Sequence, residues 1–393
     1  MSTASPFRPA IPPSALATSC RKSHPRFRMV AIYTLLLSAL SIAPAMAQMT
    51  LQVTAPSGFP SDETGYEQGV SACFAGIIGD ELIIAGGCNF PDGSGVKRYY
   101  EGIYAAHWRS DTLRWRRIGI LPEPAAYGAT VQAGDSLLLV GGCNSRHSLP
   151  TVTVIRLNAQ RQAVLSSLPS LPVTFDNGTA TYAKGKVLVF GGNQNGKPSK
   201  ALWSYHLQQA REHWTKQRCM PGRPRVQPVG VTHGARFFVW GGYHADGDRS
   251  QVATDGYSYD VTRNRWSPLP APTDMSGEPL TLSGATGTTD NRGLVMCLGG
   301  VNKDIFADAI SGQYKLVNQS DYLKQPVTWY RFNALPLFFD TKKRQWLPCS
   351  TPDPRLARAG AQIVACEDCQ YLYIGGELKP GVRTPQILRL TIR

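Results

Sequence analysis

Acidic residues are missing from the first 28 positions of this 393-residue chain, and a dense lysine or arginine block is missing from everything after them. The second absence argues against a nucleic-acid surface, which needs clustered positive charge. Charge is sparse altogether: 17% of residues are charged against 42% hydrophobic, the balance of a folded chain rather than a disordered one. The pair Cys366-Glu-Asp-Cys369 has zinc-knuckle spacing but lacks a second CxxC or a suitably spaced histidine pair. A turn disulfide or free buried thiols is therefore the better reading, and no metal is expected. Glycine (38) and proline (29) are plentiful yet follow no collagen-like period, which implies many turns between short strands.

The first 47 residues read differently from the rest. Arg26 and Arg28 precede an apolar run, MVAIYTLLLSALSIAPAMA, that ends in Ala45-Met46-Ala47 before Gln48. A basic stretch, a hydrophobic run short for a bilayer span and a small-x-small site make a secretory leader, and Met29 is a second candidate start. The expected division is therefore an extension and signal peptide over 1–47, with one folded domain over 48–393. Removing the leader takes five basic residues from 41, leaving 36 against 27 acidic ones, a net charge of +9. Such a surface favours anionic ligands weakly. The expected location is export to a bacterial periplasm, with no stable membrane insertion after the leader is cut. Eight cysteines then remain: Cys73, Cys88, Cys143, Cys219, Cys297, Cys349, Cys366 and Cys369.

Six hydrophobic runs end in Gly-Gly: LIIAGG, LLLVGG, VLVFGG, FFVWGG, VMCLGG and LYIGG, spaced by 55, 50, 50, 58 and 76 residues. Each run is too short for a helix and rich in β-formers, so each is a strand buried on both faces. Periods of this size mark a propeller or solenoid. Most copies continue with an aromatic residue and then a Trp: Tyr104 and Trp115, Tyr205 and Trp214, Tyr259 and Trp266, Phe339 and Trp346. The second copy has no such Trp to mark its outer strand. The pattern resembles the kelch repeat and predicts an all-β, six-bladed kelch-type β-propeller. One strand, Gln386–Arg393, follows the sixth Gly-Gly, so the missing outer strand of that blade is expected from Met49–Thr54. The last blade would then be closed by both termini, removing the exposed edges.

The residues after the six Gly-Gly pairs are Cys88, Cys143, Asn193, Tyr243, Val301 and Glu377, and Glu377 is the one carboxylate among them. Arg383 follows in the same short loop. A carboxylate beside an arginine at a concave mouth suits acid–base chemistry on an anion; a salt bridge within a surface hairpin is the alternative. The fifth copy is also unusual. From Gly-Gly to Trp it runs 46 residues, against 28, 22 and 24 in the first, third and fourth. The excess lies in 301–332, on the face of Glu377, with a short helix expected over Asp304–Ile310. Long loops on a rigid scaffold often cover binding sites.

GGELKPGVRT (Gly375–Thr384), GGVNKDIF (Gly299–Phe306), FAGIIGDELIIAGG (Phe74–Gly87) and AYGATV (Ala126–Val131) resemble the exported bacterial N-acetylneuraminate epimerases, sialic acid mutarotases built on a kelch propeller. In that family the Gly-Glu-x-Lys-Pro-Gly-x-Arg-Thr segment precedes the Phe-Ala-Gly-Ile segment; here it comes last, so the chain is similar to a cyclically permuted branch. The loops at Cys88 and Cys143 and the middle of the fifth-blade insertion depart from the family pattern. The resemblance implies an isomerase that interconverts the anomers of an acidic sugar without a cofactor. It places the catalytic glutamate at Glu377 and the essential arginine at Arg383, the latter holding the sugar carboxylate and orienting Glu377. Asn302, Lys303 and Tyr127 are candidates for hydroxyl contacts. Two other classes compete. A non-catalytic propeller would bind a glycan or protein partner on the same face. A copper radical oxidase would need two Tyr and two His ligands, and His107, His147, His206, His213, His233 and His244 offer no compact pair.

Overall fold

Each hydrophobic run before a Gly-Gly pair forms the second strand of a four-stranded antiparallel sheet in the computed structural model, which describes residues 49–91, 95–208, 213–348, 351–367 and 369–393. The expected leader, its cleavage site and Cys349 lie outside the described residues. These second strands are almost wholly buried, Leu82, Ile84, Val187, Leu188 and Leu298 among them with no exposed surface. That burial explains why they read as continuous apolar runs rather than as alternating ones.

Six such sheets, blades 1 to 6, are present among the described residues. Blade 1 holds Phe74–Ile78, Glu81–Ala85, Gly102–His107 and Arg116–Ile120. Blade 2 holds Ala129–Gln132, Leu137–Val140, Val152–Leu157 and Ala163–Leu168. Its outer strand forms without a Trp, pairing along its full length with Val152–Leu157. Blades 3, 4 and 5 begin at Thr179–Ala183, Val229–His233 and Thr286–Thr289. Blade 6 holds Gln362–Ala365, Gln370–Ile374 and Ile387–Ile392, and its outer strand is Leu51–Thr54, paired antiparallel to the last one. The innermost strands touch in sequence around an axis, and the sixth returns to the first.

The residues just before these inner strands explain how the ring is held. Ala72, Tyr127, Asn177, Gln227, Gly284 and Gly360 all have positive φ, between 52° and 70°. Each donates its backbone N–H to the carbonyl of its counterpart in the preceding blade, at 2.7–3.1 Å. Ala72 donates to Gly360, so the six bonds form a closed circle. A left-handed conformation costs a non-glycine residue roughly 1–2 kcal/mol, and each hydrogen bond returns about 1 kcal/mol net. The circle is nearly neutral for stability; what it supplies is position.

The Gly-Gly pairs stitch neighbouring blades together. A Cβ on Gly86, Gly141 or Gly299 would lie 2.2 Å from the carbonyl oxygen of Ala125, Phe175 or Arg358 on the next blade, closer than side chains tolerate. Gly87, Gly142, Gly192, Gly300 and Gly376 donate their N–H groups to that same next-blade backbone, at 2.7–2.9 Å. The blade tryptophans add a second seam. Trp214 Nε1 donates to Pro169 O at 2.8 Å, Trp266 Nε1 to Arg218 O at 2.7 Å and Trp346 Nε1 to Pro270 O at 2.9 Å, each reaching the exit segment of the preceding blade. In blade 1 the segment after Thr54 replaces that partner. Phe59 packs on Trp115, and Glu63 accepts hydrogen bonds from Gly102 N at 2.9 Å and Tyr104 Oη at 2.8 Å.

Gly86→Ala should therefore destabilise the protein by about 3 kcal/mol, combining overpacking with backbone strain. Gly134 has nearly the same φ, 58° against 59°, but faces open space. Gly134→Ala should cost only about 1 kcal/mol. Urea denaturation of the two variants separates the steric effect from the conformational one.

Candidate active site

The residue after each Gly-Gly lies against the ring on one face. Cys88 pairs through its backbone with Ser71, Cys143 with Ala126, Asn193 with Asp176, Tyr243 with Val226 and Glu377 with Ala359, while Val301 N donates to Ser283 O at 3.0 Å. The six equivalent residues therefore sit in one tier beside the ring. Below it runs a cavity of about 410 Å³ between the inner strands, walled by residues such as Thr130, Thr181, Thr286 and Gln362. Tyr127 lines this cavity; Glu377 and Arg383 do not.

Glu377 and Arg383 face each other across a small hairpin, Glu377–Lys379 paired with Val382–Arg383. Lys379-Pro380-Gly381 makes the turn, and Gly381 takes the positive φ of 87° that it requires. Arg383 Nη1 lies 2.9 Å from Glu377 Oε1, and Gly381 N donates to that same oxygen at 3.0 Å. The guanidinium is 4% exposed and packs over the Phe90 ring at 5.2 Å, while the carboxylate is 22% exposed. The Arg383 Nη1 contact is an ion pair without hydrogen-bond alignment, so Nε and Nη1 are both buried without an acceptor. Among the described residues no hydrogen bond reaches Glu377 Oε2. Burial opposes the charge on Arg383, but Glu377, Tyr127 and Cys88 outweigh it and hold its pKa above the ordinary arginine value.

Tyr127 joins this pair from the ring itself. Burial pushes its phenol well above the usual tyrosine range; Cys88 and Glu377 add to the rise and Arg383 opposes it. The phenol therefore keeps its proton at neutral pH. Lys97 Nζ donates to Tyr127 Oη at 3.1 Å.

The fifth-blade insertion covers the same face. Its helix runs Lys303–Ser311, slightly longer than expected, and Phe306 packs edge-on against Tyr243 of blade 4 at 5.1 Å. Farther on, Tyr322, Trp329 and Tyr330 stack edge to face, and Tyr330 donates to the Tyr322 carbonyl. Burial raises the pKa of both tyrosines, and the Glu377 charge adds to it, which sets them near that carboxylate. Lys379 Nζ donates to Leu323 O at 3.0 Å and Gln325 O at 2.7 Å, fastening the hairpin to the insertion.

Of the expected site residues, Glu377, Arg383 and Tyr127 come together. Asn302 and Lys303 do not join them. Asn302 caps the helix, its side chain accepting from Asp304 N and Ile305 N, both at 3.1 Å. Lys303 pairs with Asp304 at 2.9 Å. Both line a separate hollow of about 590 Å³ with Asp274, Met275 and Arg331. An Asn followed by a helical pattern is a capping signal, so this role was available from the residues. Lys97, Phe90, Tyr322 and Tyr330 were not anticipated. Neither was Asp176, a buried carboxylate on the same face that accepts from Asn193 at 2.7 Å and Asn177 at 2.8 Å. Cys88 and Cys143 are free thiols, as are Cys366 and Cys369, which form no disulfide. No group of three or more potential metal ligands occurs among the described residues.

With this geometry in view, the relatives are informative. A family model described as N-acetylneuraminate epimerase matches residues 168–393. This chain belongs to the N-acetylneuraminate epimerase family. The matched part contains the Glu377 hairpin and the insertion over it. Proteins called N-acetylneuraminate epimerase from Salmonella typhi and Yersinia pestis are each 28% identical to it, over 232 and 256 residues. N-acetylneuraminate epimerase 1 from Escherichia coli O6:H1 is 29% identical over 233 residues. These matches cover 57%, 60% and 56% of this chain and 58%, 62% and 59% of the respective relatives, less than two thirds of any of them.

Lys379→Ala removes the tie between hairpin and insertion. Hydrogen exchange at 319–330 should speed up markedly, while global stability falls by no more than about 1–2 kcal/mol for two lost hydrogen bonds. Exchange monitored by mass spectrometry, beside a denaturation curve, checks both.

Proposed function

We propose that this protein is an exported, periplasmic mutarotase that interconverts the α and β anomers of N-acetylneuraminate through the open-chain ketone. One observation carries the reading: Glu377 is held at one carboxylate oxygen by Gly381 and Arg383, while its other oxygen has no hydrogen-bond donor among the described residues. A carboxylate fixed in this way with its second oxygen unengaged is a positioned proton acceptor. Family membership supplies the sugar.

The chemistry asks for little more. Glu377 takes the proton of the anomeric hydroxyl, and the electron pair left on that oxygen forms the carbonyl as the ring C–O bond breaks. The ring oxygen receives the proton back. Rotation beside the carbonyl presents its other face, and the reverse sequence closes the ring as the other anomer. Protons balance and no electrons leave the sugar. Arg383 orients Glu377 and brings positive charge towards the substrate carboxylate. Tyr127, kept protonated by its surroundings, donates to a sugar hydroxyl. Positioned proton transfer of this kind contributes roughly 10²–10⁴-fold, enough for a reaction that already proceeds unaided.

The order of motifs extends the proposal: the family's propeller has been opened at a different blade, and this chain is a cyclic permutant. The placing of both ends in blade 6 supports this, because a ring closed in one blade can be cut in another without loss of contacts.

In the deciding experiment, a sialidase releases α-N-acetylneuraminate and proton NMR follows its equilibration. The protein should accelerate the exchange, and Glu377→Gln should lower that acceleration at least about 100-fold. An unchanged rate in the variant removes Glu377 from the mechanism. Binding of the sugar with no acceleration by the native protein would favour a glycan-binding module instead.

A further inference from the structure

Arg383 alone cannot account for preference for an acidic sugar. Its guanidinium lies 2.9 Å from Glu377, so the pair presents no net positive charge to a bound carboxylate. A second cation is needed, and one is present from another blade. Lys97, in the loop between the second and third strands of blade 1, places Nζ 5.7 Å from the centroid of Phe90, the ring over which Arg383 packs at 5.2 Å. The ammonium is held by aromatic rings on several sides, at 6.0 Å from Tyr99 and 4.9 Å from Tyr127, and it donates to Tyr127 Oη at 3.1 Å. It forms no ion pair among the described residues and is half-buried. A lysine ammonium has three protons to donate and one is used among the described residues, which leaves capacity for an anion.

We propose that Lys97 is the residue that makes the site select a monosaccharide bearing a carboxylate. It adds a positive charge beside the neutral Glu377–Arg383 pair, on a face that also holds the Asp176 carboxylate, itself engaged by Asn177 and Asn193. Aromatic contacts fix where the ammonium sits, so little side-chain freedom is lost when the substrate arrives. The same ammonium leaves the Tyr127 phenol free to donate its own proton, because Tyr127 Oη accepts from Lys97. This inference rests on the mutarotase reading and adds to it a residue that governs specificity.

The test compares N-acetylneuraminate with its methyl ester, which keeps the ring and the anomeric hydroxyl but removes the negative charge. Anomer exchange of both is measured with native protein, Lys97→Met, Lys97→Gln and Lys97→Arg. The native protein should show a KM for the ester about 10- to 100-fold above that for the acid, the range of a charge-assisted hydrogen bond. Lys97→Met and Lys97→Gln should bring that ratio to within about threefold of one by raising the KM of the acid, and Lys97→Arg should restore most of it. Thermal denaturation of each variant confirms that the fold is retained. A native ratio preserved in both neutral variants overturns the role of Lys97 while the mutarotase reading stands. A native protein that accelerates neither sugar defeats that reading and this inference together.

Discussion

Six peptide hydrogen bonds around the axis are the constraint on which the rest depends. Each blade presents one residue in a left-handed conformation, so that its N–H meets the carbonyl of the blade before it. Four of the six residues are not glycine and bear the strain of that conformation. The energy returned roughly cancels the strain, so the circle acts as a jig. It sets the distance of every blade from the axis, and with it the position of the residue following each Gly-Gly pair.

The site inherits its geometry from that jig. Glu377 is the blade 6 member of a ring of equivalent positions, fixed by two backbone bonds to Ala359. Tyr127 is itself a ring residue, contributed by blade 2. The carboxylate and the phenol therefore belong to separate blades and keep their relation through the circle. Loops supply the remainder: Lys97 and Phe90 come from blade 1, and the aromatic cluster from the insertion of blade 5. A rigid frame with variable loops is the arrangement in which chemistry can be held while specificity changes.

How far the residues alone disclose this depends on what sort of contact is involved. Gly-Gly periodicity is local, and the physical need behind it, backbone approach to the next blade, is the same in every copy; all-β sheets and their strands follow from it. The Glu377–Arg383 pair is legible because both belong to one hairpin. Lys97 is not, because its meaning comes from Tyr127, thirty residues and one blade away, and from a ring it shares with an arginine at the far end of the chain. Asn302 stands directly before a helix, a position that signals a cap rather than a sugar contact, and it caps.

The pairing of Leu51–Thr54 with Ile387–Ile392 has a consequence for how the molecule is made. As the chain folds, blades 1 to 5 can assemble from neighbouring segments, but blade 6 needs strands more than 300 residues apart. Until Ile387–Ile392 docks, Gln370–Ile374 has a bare edge and Leu51–Thr54 has no partner strand. Such edges recruit other chains. The hazard ends in a single event, when that strand slots between its two partners and the arc becomes a circle.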